Sequence, residues 1–186
     1  MSGSGMRAWV VMGVSGCGKS EIGARLAQAL GVDFIEGDRF HPAANVARMS
    51  AGIALTDADR EGWLRQLAAE LARACADGRG AVLACSALKR VYRDILRSAG
   101  CALVFVHLDG KRDTLAARMG ARPGHFMPLS LLDSQLRDLE PLQAEEEGIV
   151  LDIEEAPEVL VERVLAYAEK LRPAPGPQLP PAGSAA

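Results

Sequence analysis

The sequence predicts an α/β domain with a five-stranded parallel sheet covered by helices on both faces. Five short segments have the composition of strands, and four of them are apolar almost throughout, without the alternation typical of a strand that has one face in water. Longer segments with apolar residues at helical spacing separate them. Strands that alternate with helices in this way form parallel sheets, so the pattern favours this class over all-α and all-β folds.

Each predicted element follows from its local pattern. The expected strands are Arg7–Met12, Asp33–Glu36, Ala81–Cys85, Ala102–Leu108 and Ile149–Asp152. The expected helices are Glu21–Leu30, Asp57–Ala76, Val91–Leu96, Asp113–Met119 and Pro157–Leu171. Gly31 is placed to cap the first helix, and Pro157 to open the last. We expect the second strand to lie next to the first.

Length and composition limit the domain organisation and the partners. A chain of 186 residues suits one domain, which we place at residues 7–172, after a flexible leader at 1–6 and before a disordered Pro/Ala/Gly-rich tail at 173–186. The net charge of -3 and the aromatic content of 4% argue against nucleic acid as a partner. No apolar run approaches the roughly 18 residues of a membrane span. Four scattered cysteines suggest neither a metal site nor a disulfide framework, so we expect a cytoplasmic protein.

One glycine-rich segment matches the phosphate-binding pattern G-x-x-x-x-G-K-[ST] at every fixed position. It consists of Gly13, Val14, Ser15, Gly16, Cys17, Gly18, Lys19 and Ser20. It follows the first strand and opens the first helix, where backbone N–H groups and the helix N-terminus can surround phosphate oxygens. Lys19 would bridge the β- and γ-phosphates of a nucleoside triphosphate, and the Ser20 hydroxyl would bind Mg²⁺. The chain lacks a guanine-reading Asn-Lys-x-Asp segment, which leaves a compact phosphotransferase with a small acceptor.

Asp38 lies directly after the second strand, at the edge of the sheet where ligands bind. Its carboxylate could take the proton of an attacking hydroxyl or hold Mg²⁺ through water. The alternative is an N-cap for the next helix. We expect Gly37 to leave room for the substrate. The sequence thus favours Asp38 as a catalytic residue.

Several further segments resemble the gluconokinase family. They are GVSGCGKS, EGDRFHPAANVARM, LTDADREGWL, CSALKRVYRD, RMGARPGHFM, LLDSQ and LEP, and the likeness spans roughly residues 7–172. The resemblance implies a P-loop NTPase fold like that of the nucleoside-monophosphate and shikimate kinases, with a small lid at about 118–130. It also implies ATP-dependent phosphorylation of D-gluconate at its 6-hydroxyl. Family members often form dimers, and a homodimer stays open because no apolar stripe here requires one.

The resemblance also assigns roles to individual residues. Lys19, Asp38, Arg118 and Arg122 would be catalytic, with the two arginines on one helix face before the Pro123-Gly124 break. The acceptor would be bound by Asp38, His41, Arg48, Arg60, Lys89 and Arg93, and which cation meets the gluconate carboxylate stays open. The alternative for the arginine pair is a helix C-terminus favoured by the dipole.

Three hypotheses remain beside this one. Cys17 lies in the phosphate loop at a helix N-terminus, where thiol pKa values tend to fall, so its modification could block ATP binding. A small side chain that points away from the ligand is the alternative. The whole chain could be a sister kinase for shikimate or another hydroxy acid, or a nucleotide-binding regulatory protein without catalysis.

Overall fold

The computed structural model describes residues 7–121 and 128–172. Its strands there are β1 (Arg7–Met12), β2 (Asp33–Glu36), β3 (Ala81–Ala84), β4 (Ala102–Asp109) and β5 (Gly148–Asp152). Its α-helices there are α1 (Lys19–Leu30), α2 (Ala43–Ser50), α3 (Asp57–Ala76), α4 (Arg90–Arg97), α5 (Arg112–Ala121), α6 (Ser130–Asp138) and α7 (Pro157–Lys170). All five predicted strands and five predicted helices are present, with ends shifted by at most two residues. The expected leader at 1–6 and tail at 173–186 lie outside the described residues.

Three short elements were not predicted. They are α2, α6 and a 3-10 helix over Gly37–Phe40. The 3-10 helix and α2 fill the segment between β2 and α3, and α6 precedes the loop to β5. Each has at most nine residues, so its apolar pattern covers too few turns to stand out in the sequence.

The sheet is parallel throughout, in the order β2-β3-β1-β4-β5. The predicted class is confirmed, but the expected position of β2 beside β1 is wrong, because β3 lies between them. The physical reason is burial. Every residue of β3 is buried, as a central strand requires, whereas β2 stays partly exposed, as suits an edge.

Helices cover both faces of the sheet. Alternate side chains of β1, such as Trp9 and Val11, pack against α1, α5 and α7 on one face. The residues between them, such as Ala8 and Val10, pack against α3 and α4 on the other. Among the helices that the structure describes, none is long and apolar enough to cross a membrane. The loops after β1, β2 and β3 meet at one edge of the sheet and form the site described next.

Candidate active site

The loop between β1 and α1 has the backbone shape of a phosphate cradle. Gly13, Gly16 and Gly18 all have positive φ angles, at 139°, 83° and 95°. Residues that carry a side chain rarely adopt this backbone conformation. At Gly16 a Cβ would also lie 2.8 Å from the Met119 side chain, so any larger residue would be strained twice over. The helix α1 starts at Lys19, and its unpaired N-terminal N–H groups therefore face the loop.

Hydrogen bonds that involve side chains help to hold this loop. The Lys19 ammonium group donates to the Val14 carbonyl at 3.0 Å, and the Ser15 N–H donates to the Gln135 side-chain oxygen at 2.7 Å. A cleft of about 460 Å³ opens above the loop. Its walls include Ser15, Gly16, Gly18, Lys19, Ser20, Asp38, Arg118, Met119 and Pro157. The cleft thus offers backbone donors and cationic side chains to a polyphosphate.

Asp38 lies in the 3-10 helix after β2, and it lines this cleft as well as the smaller pocket beside it. Its side chain is exposed, and within the described residues no hydrogen bond or ion pair occupies its carboxylate. It therefore makes no N-cap contact there. The role of Gly37 differs from the prediction that it leaves room for the substrate. A Cβ at this position would clash with the Ala84 carbonyl oxygen, so the glycine allows close approach to β3 and does not make room for substrate.

A second, narrower pocket of about 30 Å³ continues from the cleft and shares Ser15, Lys19 and Asp38 with it. Its other walls are His41, Met49, Leu55, Arg60, Trp63, Ser86 and Gln135. We call it the acceptor pocket. The His41 ring stacks on Trp63 at 4.0 Å between centroids, and its buried Nδ1 atom has no hydrogen-bond partner among the described residues. Burial lowers the pKa of His41, although the Asp38 charge partly opposes this, so the imidazole is neutral at pH 7.

Of the cations predicted to bind the acceptor, Arg60 is the one that lines this pocket, together with Lys19 of the phosphate loop. It lies on α3 and is 9% exposed. Its Nη1 atom donates to the Tyr92 hydroxyl at 2.8 Å and lies 3.6 Å from an Asp138 carboxylate oxygen. The Tyr92 hydroxyl in turn hydrogen-bonds to Asp57. These contacts hold the guanidinium, a group with five N–H donors, at the pocket wall.

Three other cations from the predicted acceptor set do not line the acceptor pocket. Arg48 is exposed and lies 3.6 Å from Asp59. Lys89 donates to Asp57 at 2.8 Å and also lies outside the pocket. For Arg93 the prediction of substrate binding is wrong. Its side chain is 0% exposed because it is enclosed by backbone carbonyls and paired with Glu146 at 2.8 Å, so no substrate can reach it.

The structure describes one of the two predicted catalytic arginines, Arg118. Arg118 lies in α5, lines the phosphate cleft and donates to the Ile153 carbonyl at 2.8 Å. Ile153 belongs to the loop between β5 and α7. Pro157, the first residue of α7, also lines the cleft. Arg122, with the rest of 122–127, lies outside the described residues. Arg118 is therefore placed beside the phosphates that the loop would bind.

The expectation of a reactive Cys17 thiol is not supported. The side chain is 1% exposed and packs beneath the loop, next to Gly13. Burial raises the pKa of the Cys17 thiol, and the nearby Lys19 charge offsets only part of that effect. The thiol is a small core group, which was the alternative reading of the sequence.

The sequence-based list of site residues missed Gln135, Ser86 and Trp63. Gln135 joins the phosphate loop to the acceptor pocket from a position 120 residues away. Ser86 lines the acceptor pocket, and its carbonyl accepts the Gly13 N–H at 3.2 Å. All three lie in the family-like segments quoted above, so those segments were the available signal.

Comparison with known proteins identifies the family. The family model described as shikimate kinase matches residues 15–169. The chain is 48% identical over 161 residues to a gluconokinase from Gluconobacter oxydans, which covers 87% of this chain and 90% of the relative.

Two solved structures are also similar. A sugar kinase from Janibacter sp. is 47% identical with a TM-score of 0.83, covering 88% of this chain and 95% of that one. A gluconokinase from Sinorhizobium meliloti is 45% identical with a TM-score of 0.78, covering 90% and 94%. The match to the family model and the high identity over nearly whole chains agree with the P-loop geometry above. The chain belongs to the gluconokinases of the shikimate kinase family.

Proposed function

We propose that this protein transfers the γ-phosphoryl group of ATP to the 6-hydroxyl of D-gluconate, giving 6-phospho-D-gluconate and ADP. Membership of a kinase family implies ATP as the donor. The observation that carries the proposal is the position of Asp38, which lines both the phosphate cleft and the acceptor pocket. Gluconate is favoured over shikimate because the chain is similar to gluconokinases along most of its length.

The acceptor pocket has the groups that a polyhydroxy acid needs. Arg60 would bind the gluconate carboxylate, since a guanidinium can donate to both of its oxygens. The unpartnered Nδ1 of His41 would pair with a hydroxyl group. Gluconate is larger than the narrow pocket, so it would extend from Arg60 toward the phosphate cleft, with its 6-hydroxyl near Asp38.

The transfer step then uses the residues where the two pockets meet. The Asp38 carboxylate would accept the proton as the 6-hydroxyl oxygen forms its bond to the γ-phosphorus. The bond from that phosphorus to the β–γ bridging oxygen breaks on the opposite side, and ADP leaves. Lys19 and Arg118 would stabilise the charge that develops on the phosphate oxygens.

The donor atoms present also fit Mg²⁺, which prefers oxygen ligands and is usually carried by nucleotide phosphates. The Ser20 hydroxyl would hold it, and Asp38 could contact it through water. When bound, the ion would neutralise charge on the β- and γ-phosphates.

Four further parts of the proposal come from the sequence and from its resemblance to gluconokinases. The segment 118–130 would act as a lid that brings Arg122 to the phosphates beside Arg118. Residues 7–172 would form the single kinase domain. The chain could form a homodimer. The protein would act in the cytoplasm, where ATP is supplied.

The test is ADP release with Mg-ATP and, in separate reactions, D-gluconate, shikimate, other sugar acids and no acceptor. We expect turnover with gluconate alone, and phosphorus NMR should locate the new phosphate at carbon 6. Turnover with a different acid would overturn the choice of substrate. ATP binding without acceptor-dependent ADP release would instead support a regulatory protein.

A further inference from the structure

Trp63 contacts both ends of the short turn that carries Asp38. Its indole N–H donates to the Gly37 carbonyl at 2.8 Å, on one side of Asp38. Its ring stacks on His41 on the other side, with 4.0 Å between ring centroids and 18° between ring planes. Trp63 itself is 2% exposed and belongs to the long helix α3. A rigid element therefore holds the turn at two points.

The turn has few other restraints near the Asp38 carboxylate. Gly37 lies so close to β3 that an added Cβ would clash with the Ala84 carbonyl oxygen, and the His41 N–H donates to the Asp38 carbonyl at 3.3 Å. Within the described residues the carboxylate itself has no hydrogen bond or ion pair. The backbone of the turn therefore determines the direction of the Asp38 side chain. The contacts of Gly37 and His41 fix the conformation of that backbone.

We propose that Trp63 is a positioning residue for phosphoryl transfer, which aims Asp38 and His41 into the acceptor pocket; this inference rests on the proposed function. Packing alone would not require tryptophan, because phenylalanine or leucine would also fill an apolar site. The indole N–H adds a donor to a buried carbonyl, and the flat ring adds a surface that fixes the imidazole plane. Trp63 also lines the acceptor pocket, so a bound acceptor changes its surroundings.

The substitution Trp63→Phe separates the two contacts, because it keeps a ring beside His41 and removes the N–H group. Trp9→Phe is the matched control. The sequence contains two tryptophans. Trp9 is also buried, at 5% exposed, but it lies in β1 on the opposite face of the sheet and lines neither pocket. Any loss caused by removing an indole from the core should appear in both variants.

We expect Trp63→Phe to lower kcat with gluconate about tenfold, as for the loss of one buried hydrogen bond that matters in the transition state. The dissociation constant for ATP should not change, because the phosphate loop is untouched. Trp9→Phe should keep kcat and KM within about twofold, even if its Tm falls. Parental kcat in folded Trp63→Phe, or an equal loss of kcat in both variants, would overturn the inference.

Fluorescence gives a second readout that does not depend on turnover. In the Trp9→Phe protein, Trp63 is the sole tryptophan, so its emission reports the acceptor pocket directly. We expect gluconate to change the emission intensity with the same midpoint that calorimetry gives for binding. Unchanged emission while calorimetry shows bound gluconate would overturn this inference but not the proposed function. A parent protein that neither binds nor phosphorylates gluconate would overturn the proposed function, and this inference with it.

Discussion

Arg93 offers a sharp test of the difference between a substrate-binding and a structural arginine. Its guanidinium pairs with both carboxylate oxygens of Glu146 at 2.8 Å, and both side chains are 0% exposed. It also donates to the carbonyls of Ala87, Leu88, Glu140 and Pro141 at 3.1 to 3.2 Å. Burial acts to raise the pKa of Glu146, but hydrogen bonds from Arg93, the Gln143 N–H and Arg97 outweigh it and lower the pKa to about 2.

We expect Arg93→Met to destabilise the fold severely. Removing Arg93 leaves the buried Glu146 charge without its bidentate partner and several carbonyls without a donor, which costs about 3–5 kcal/mol. Native domains are stable by only about 5–15 kcal/mol, so this is a large share of the total. For a chain of this length each kcal/mol lowers Tm by about 2–4 °C, so the expected fall in Tm is about 6–20 °C.

Thermal unfolding followed by circular dichroism measures this fall, and the matched control is Arg65→Met. Arg65 also forms a close ion pair, with Glu61 at 2.7 Å, but both side chains are more than half exposed. Such a surface pair contributes at most about 1 kcal/mol. A parental Tm for Arg93→Met together with a strongly raised KM for gluconate would refute the structural role and restore substrate binding.

Three further changes have distinct expected outcomes. Arg60→Met should raise KM for gluconate about tenfold or more through loss of a charged hydrogen bond, whereas Arg48→Met should not; equal effects in steady-state kinetics would contradict the pocket assignment. Cys17 should resist iodoacetamide in the folded protein and react in urea, because its thiol is buried and its pKa is raised; mass spectrometry showing rapid labelling of the native state would contradict this. Burial lowers the pKa of His107. The contribution of the neutral His107 side chain to the free energy of unfolding is therefore complete above about pH 6.5, and it is lost as the pH falls through the lowered pKa. His107→Phe should therefore lose less Tm than the parent between pH 7.5 and 5.5, and an equal loss would contradict the assignment.

The features that the sequence predicted well are local ones. The phosphate loop has a fixed spacing and a fixed context, so its position between β1 and α1 could be predicted from eight residues. The inner strands β1, β3 and β4 could be predicted because a parallel sheet buries both faces of its inner strands. Asp38 was found because the end of a parallel strand marks the ligand edge of the sheet.

The features that the sequence did not predict depend on partners far along the chain. The place of β3 between β1 and β2 results from pairing between segments about 50 and 70 residues apart. The burial of Arg93 requires Glu146, 53 residues away, and nothing near Arg93 distinguishes it from a surface helix charge. The bond from Ser15 to Gln135 spans 120 residues. No local pattern records such pairings.

The central claim is that Asp38 takes the proton from gluconate during transfer from ATP. The measurement that tests it most directly is kcat for gluconate together with the dissociation constant for ATP in Asp38→Asn. Asparagine keeps the size of the side chain but cannot act as the base, so we expect kcat to fall about 100-fold or more while ATP binding is unchanged. A value of kcat within a fewfold of the parent would contradict the account.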